Sequence, residues 1–134
     1  MDTVDDLYGR IGQALTEAAP TEWDTARIVV RMLASQSQID VTYSLPEGGT
    51  TSREISFDAL DVFEEIRELL ALPGKGAWYT AVFEMNREGK YRVDFDYDRR
   101  PEFDFHVDDE DYFEDLEQYP RDPATIPAWM PNRA

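Results

Sequence analysis

Two strand-like stretches joined by a four-residue turn restrict the fold of this chain more than any other feature. Residues 77–85 (AWYTAVFEM) and residues 90–98 (KYRVDFDYD) have the composition and spacing of β-strands, and NREG lies between them. Gly89 suits a turn position at which the backbone takes a positive φ, a conformation that other residues disfavour. The sequence therefore predicts a β-hairpin over residues 77–98.

Three further segments have the apolar spacing of amphipathic helices. They are residues 3–19, a segment that begins at Ser56 and ends before Pro73, and residues 108–118. Thr3 and Asp6 are placed for a capping box, and Ser56 can cap the second helix. The acids of residues 108–111 suit the N-terminus of the third helix, where the helix dipole favours negative charge.

The remaining strands are predicted upstream of the hairpin. Residues 23–33 and 37–45 have the character of strands with a turn near residues 35–37, and residues 51–55 form a short third strand. Because neighbouring strands are joined by short turns, we expect an antiparallel sheet of four to five strands with helices packed on one face. The predicted fold class is therefore α+β, in two layers.

The length of 134 residues favours a single domain, which we assign to residues 1–119. Residues 120–134 contain four prolines, too many for a helix or an inner strand. We predict an extended tail packed on or near the domain. Trp129 either anchors this tail or is offered to a partner, and the sequence leaves both alternatives open.

A formal net charge of −16 restricts the partners of this chain. Such an excess of carboxylates repels nucleic acid and anionic membranes and attracts basic proteins, so direct binding to DNA, RNA or a membrane is not expected. The chain has no cysteine, no signal-peptide pattern at its start and no apolar run of membrane-spanning length. A soluble, cytoplasmic protein is expected.

Three aspartates, Asp94, Asp96 and Asp98, alternate along the second strand of the hairpin and would line one face of it. A D-x-D-x-D run opens an EF-hand calcium loop, but Arg99 and Phe105 stand where that loop needs Gly and Glu. A looser magnesium site ranks low, so we predict no metal and no cofactor. A structural role for Asp96 and Asp98, in which they accept N–H bonds from the turn that follows them, is as well supported as a role in binding a partner.

Residues for nucleophilic or acid–base catalysis are scarce. His106 is the single histidine and lies in an acidic loop, and no serine has the context of a nucleophile elbow. Trp23 and Trp78 are interpreted as core residues rather than as platforms for a ligand. We therefore predict no catalytic residue.

Much of the negative charge is concentrated in residues 94–117, which contain twelve Asp and Glu side chains and two arginines. Such a run is either a solvated face or a docking surface for a basic protein, since clustered carboxylates steer association and pair with Lys or Arg. The candidate partner-binding residues are Asp96, Asp98, Glu102, Asp104, Asp108, Asp109, Glu110, Asp111 and Glu114.

The hairpin segment WYTAVFEMNREGKYRVDFDYD resembles the hallmark hairpin of the YezG-like family of antitoxin or immunity proteins. That pattern has a Trp at the strand start, a Gly in the turn, a basic residue after it and an aromatic-Asp-aromatic-Asp ending. Here these are Trp78, Gly89, Lys90 and residues 95–98. The stretch LEQYPRDPATIPAWM is similar to the ending of actinobacterial members, and the resemblance extends over roughly residues 5–119.

This resemblance implies a cytoplasmic protein without catalytic activity that binds the toxic C-terminal domain of a secreted polymorphic toxin, commonly a nuclease. Together with the acidic run, it predicts an immunity protein that neutralises a basic toxin domain through an acidic surface. An acidic interaction module with another basic partner is the alternative, and a carboxylate metal enzyme ranks below both. The oligomeric state stays open, with a monomer slightly favoured.

Overall fold

The computed structural model describes residues 3–55 and 58–131, with a five-stranded sheet at its centre. The strands are β1 (Thr25–Met32), β2 (Ser37–Ser44), β3 (Thr50–Ser52), β4 (Thr80–Asn86) and β5 (Tyr91–Asp96). They lie side by side in the order β3-β2-β1-β4-β5, and every neighbouring pair is antiparallel. The predicted antiparallel sheet is confirmed, with a third strand of only three residues.

The predicted hairpin is the pair formed by β4 and β5. Gly89 in its turn has a φ of 89°, as the sequence required. Asn86 closes the turn, because its Oδ1 atom accepts hydrogen bonds of 3.0 Å from the backbone N–H groups of Glu88 and Lys90. The hairpin is confirmed, although β4 begins at Thr80 rather than at residue 77.

Three helices accompany the sheet: α1 (Val4–Ala18), α2 (Asp58–Leu69) and α3 (Asp109–Gln118). The capping box of α1 is confirmed, since Thr3 N–H donates to Asp6 Oδ2 at 3.0 Å and Asp6 N–H donates to Thr3 Oγ1 at 3.2 Å. The predicted cap at Ser56 lies outside the described residues. Among the helices of residues 3–55 and 58–131, none is long and apolar enough to cross a membrane.

One face of the sheet is covered by α1 and α2. Leu7, Ile11 and Leu15 recur at helical spacing on α1 and are at most 1% exposed. They pack with side chains from alternate positions of β1, namely Ala26, Ile28, Val30 and Met32. Full burial of one such side chain contributes about 1.5–3 kcal/mol, so the period of two along β1 determines which face receives the helices. The two-layer α+β fold class is confirmed.

A smaller apolar cluster fixes α3 at one end of the sheet. It consists of Leu33, which follows β1, Tyr79, which precedes β4, and Val107 and Tyr112. Trp129 lies on this cluster, with its ring centroid 5.3 Å from that of Tyr79 and 5.7 Å from that of Tyr112. Its Nε1–H group also donates to the Asp98 carbonyl at 2.6 Å. Trp129 therefore anchors the tail.

The prolines of the tail predict an extended segment, but part of the tail is not extended. Pro123–Thr125 form a short 3₁₀ turn, in which Thr125 N–H donates to the Asp122 carbonyl at 2.8 Å. Proline is compatible with the first position of such a turn, because its missing N–H would have no partner there. The domain boundary at residue 119 stays a prediction.

Candidate functional site

A buried ion pair holds the acidic helix α3 against α2. Arg67 on α2 and Asp115 on the inner side of α3 are each 2% exposed. The guanidinium donates to both carboxylate oxygens, with 2.9 Å between Nη2 and Oδ2, and its Nε–H donates to the Trp78 carbonyl at 2.7 Å. Asp115 is one of the twelve acids of the charged run, and the structure removes it from the surface. This pair was not predicted from the sequence, because its two members lie 48 positions apart.

The outer side of α3 carries three exposed candidate residues. Asp109, Glu110 and Glu114 are all exposed there. Within residues 3–55 and 58–131, the carboxylates of Asp109 and Glu114 form no hydrogen bond or ion pair. Asp108, the residue before α3, is also exposed, and its Oδ1 atom lies 2.9 Å from His106 Nε2. The carboxylates of Asp109 and Glu114 can therefore meet a partner without first breaking a contact with a described residue.

Two candidate residues tie the start of α3 to the sheet. The Ser35 hydroxyl donates to Asp111 Oδ1 at 2.6 Å, and Asp108 N–H donates to Asp111 Oδ2 at 3.1 Å. The Ser35 hydrogen bond is the main cause that holds the pKa of Asp111 below its ordinary value. Asp104 exchanges two hydrogen bonds with the Gln38 side chain, at 2.7 and 2.8 Å. Both carboxylates therefore serve the fold, whatever else they contact.

The structural alternative for the aspartates of the hairpin is realised at Asp96. Its Oδ1 atom accepts hydrogen bonds of 2.9 Å from the backbone N–H groups of Asp98 and Arg99. Arg99 Nε also lies 3.7 Å from Asp96 Oδ2. Asp98 is exposed, and its Oδ1 atom is 4.0 Å from Arg121 Nη1, so it is held only weakly. Asp96 shapes the chain after β5, while Asp98 remains accessible.

A groove with a volume of about 800 Å³ lies on the sheet face that α1 and α2 leave uncovered. Asp94, Asp96 and Asp98 all line it, as does Glu102, although Asp98 lies beyond the end of β5. Lysine and arginine side chains line the same groove. The candidate residues thus fall into two groups. Asp96, Asp98 and Glu102 border this mixed-charge groove, and the other six lie on α3 or in the segment that leads to it.

A second acidic surface, not predicted from the sequence, lies along α2. Asp61, Glu64, Glu65 and Glu68 share one side of the helix and border a groove of about 430 Å³. Gln118, at the end of α3, lines the same groove. The signal in the sequence was the recurrence of acids at helical spacing. Counting charges along the chain overlooks it, because apolar residues alternate with these acids.

The single histidine lies at the surface, and the two tryptophans considered as ligand platforms lie inside the protein. The His106 side chain is 86% exposed, as its acidic loop had suggested. Across the described parts of the chain, no three His, Cys, Asp or Glu side chains are gathered where they could hold a metal ion. Trp23 and Trp78 are buried, which confirms that they belong to the core.

A small domain with carboxylate-rich surfaces is consistent with a protein that acts by binding, and comparison with known proteins identifies the class as immunity proteins. The family described as "Immunity protein YezG-like" matches residues 4–125. This range includes the whole sheet and all three helices. The chain belongs to the YezG-like family of immunity proteins.

Two characterised proteins resemble the chain over most of its length. The immunity protein YezG of Bacillus spizizenii is 28% identical over 116 residues, and the match covers 73% of this chain and 72% of that protein. The type VII secretion system protein EsaG of Staphylococcus aureus is 22% identical over 107 residues, and the match covers 68% of this chain and 66% of that protein.

The family confirms the resemblance that the hairpin indicated. It is a family of non-enzymatic immunity proteins, so the chain acts by binding a toxin and not by catalysing a reaction. The prediction that the chain is not an enzyme is thereby confirmed.

Proposed function

We propose that this chain protects the cytoplasm of the producing cell by binding the toxic C-terminal domain of a cognate polymorphic toxin. The target domain is a nuclease or another basic domain, and the contact is made by the acidic surface around α3. The family match supports the general role. The observation that carries the proposed contact is that the exposed carboxylates of Asp109 and Glu114 on α3 have no partner among the described residues.

Charge complementarity explains why such a surface would suit a nuclease. A domain that acts on nucleic acid presents lysines and arginines to the phosphates of its substrate. Carboxylates on an inhibitor can occupy the same positive region, and electrostatic steering can raise association rates to about 10⁸–10⁹ M⁻¹s⁻¹ at low salt. Rapid capture is an advantage to a cell that makes its own toxin.

The candidate carboxylates are not expected to contribute equally. Asp96 and Asp111 already accept hydrogen bonds within the domain, so a toxin would compete with those contacts. Asp109 and Glu114 have no such internal partner among the described residues. We therefore expect electrostatic steering to depend mainly on the outer side of α3, with Glu102 and Asp98 contributing from the edge of the sheet.

The matched test reverses two charges at a time. Asp109→Lys with Glu114→Lys should lower the association rate with the purified toxin domain by about tenfold at low salt, and the difference should shrink as salt screens the surface. Glu22→Lys with Glu88→Lys makes the same change in net charge at exposed positions near the opposite end of the sheet. Equal association rates for the two variants would refute the acidic surface of α3 as the contact.

Protection of living cells tests the role itself. Cells that express the toxin domain encoded beside this chain should survive when the wild-type chain is co-expressed, and the two proteins should co-purify. An interaction module with a different basic partner would leave these cells unprotected. Failure of both co-purification and protection would refute the proposed toxin.

A further inference from the structure

An apolar pocket lies where the end of α2 meets the end of α3. It has a volume of about 330 Å³, and Leu72, Pro73, Tyr119 and Pro120 are among the residues that line it. Leu72 is 46% exposed, which places it among the most exposed large apolar side chains of the described residues. A concave site lined by apolar groups can receive an apolar side chain of another molecule.

The backbone around this pocket is held by hydrogen bonds rather than by packing of Leu72 itself. Leu72 N–H donates to the Gly76 carbonyl at 2.9 Å, and Gly76 N–H donates to the Leu72 carbonyl at 3.0 Å. Asp122 N–H donates to the Gly74 carbonyl at 2.7 Å, which joins this turn to the tail. The backbone that carries Leu72 is therefore held in place. Little backbone entropy is lost when a partner covers a side chain on such a turn.

The acidic groove of α2 adjoins this pocket directly, because Gln118 and Tyr119 line both. The four carboxylates of the α2 groove form no ion pair or side-chain hydrogen bond with another described residue. Arg67 also lines the groove, but its guanidinium is bound to Asp115. The result is an apolar pocket with a negatively charged groove on one side.

We infer that this combined surface is a second contact for the toxin domain, and this inference rests on the proposed function. The complementary element of the toxin presents one large apolar side chain with lysines or arginines beside it. The apolar side chain fills the pocket at Leu72, and the basic side chains reach the carboxylates of α2. A second copy of this chain is a poor occupant, since each copy carries a formal net charge of −16 and would bring further carboxylates to the groove.

The two parts of the surface should affect different rate constants. Leu72→Ser removes the apolar contact, so the complex with the toxin's C-terminal domain should dissociate about tenfold faster with little change in association. Glu64→Gln with Glu68→Gln removes two steering charges and should mainly slow association at low salt. Ile126→Ser is the matched control for Leu72→Ser, because Ile126 is 40% exposed and lies outside the pocket. Glu22→Gln with Glu88→Gln is the control for the charge pair.

Kinetics by surface plasmon resonance, with thermal unfolding to verify that each variant is folded, distinguish the outcomes. If Leu72→Ser binds the toxin domain as the wild type does, this inference is overturned and the proposed function stands. The same holds if Leu72→Ser and Ile126→Ser weaken binding equally. No binding by the wild-type chain would overturn both. Analytical ultracentrifugation that shows a dimer dissociated by Leu72→Ser would assign the pocket to a second copy and overturn the toxin contact.

Discussion

Loss of the Asp115 carboxylate is expected to destabilise the protein strongly. In Asp115→Ala, the guanidinium of Arg67 keeps its 2.7 Å hydrogen bond to the Trp78 carbonyl but loses both bonds to the carboxylate. It also remains at a site that is 2% exposed, so the charge stays buried after its partner is lost. Removal of one partner from a buried ion pair costs about 3–5 kcal/mol. A total stability of about 5–15 kcal/mol is typical of a domain, so this is a large share of it.

Urea unfolding followed by tryptophan fluorescence measures this loss. With a urea dependence of about 2 kcal/mol/M, the unfolding midpoint of Asp115→Ala should fall by about 1.5–2.5 M. Glu114→Ala is the matched control, because Glu114 is the preceding residue on α3 and is exposed. It should change the free energy of unfolding by less than about 0.5 kcal/mol.

Replacing both charges tests the physical cause. Arg67→Met with Asp115→Leu removes the two buried charges together and fills the space with apolar atoms, so its stability should lie within about 1–2 kcal/mol of the wild type. A loss of less than about 1 kcal/mol in Asp115→Ala would refute the reasoning. The reasoning would also be refuted if the double variant lost as much stability as Arg67→Met and Asp115→Leu lose in sum when made singly. The two side chains would then not depend on each other.

Three further predictions concern other contacts. Trp129→Ala should lower the free energy of unfolding by about 2–3 kcal/mol, measured by urea unfolding, because the tail loses its aromatic anchor. Gly76→Ala should lower the free energy of unfolding more than Gly89→Ala in the same assay. Both glycines have a positive φ, which costs about 1–2 kcal/mol for alanine. Of these two sites, only Gly76 would also bring the new Cβ against other atoms, at 2.8 Å from Arg121 Nε. Burial raises the pKa of Tyr79 to about 12, so the folded state keeps this side chain neutral at a pH at which the unfolded state loses the proton. The free energy of unfolding, measured from pH 9 to 12, should therefore fall above about pH 10. It should fall less steeply in Tyr79→Phe.

The sheet and the helices could be predicted because their signals are local. The NREG turn, the period of two in the strands and the capping box at Thr3 each need only a few neighbouring residues, and each is present in the structure. The 3₁₀ turn in the tail was missed because prolines exclude regular helices and inner strands but are compatible with a single tight turn.

The candidate site was harder to predict, because contacts between residues far apart in the sequence determine which of its carboxylates already have a partner inside the protein. Arg67 and Asp115 are separated by 48 positions, and charged side chains are so rarely buried that a sequence places them on the surface by default. The same difficulty applies to Asp111, whose partner Ser35 lies 76 positions away. Charge density along the chain identified the acidic region, but only the folded chain shows which of its carboxylates are free to meet a partner.

The inward pair of Arg67 and Asp115 has an evolutionary consequence. Because the placement of α3 depends on its inner side, residues on the outer side can be exchanged without moving the helix. A lineage facing an altered toxin could therefore revise Asp109 or Glu114 one substitution at a time and keep the scaffold unchanged. Divergence among relatives should then be fast on the outward side of this helix and slow at the two partners that hold it.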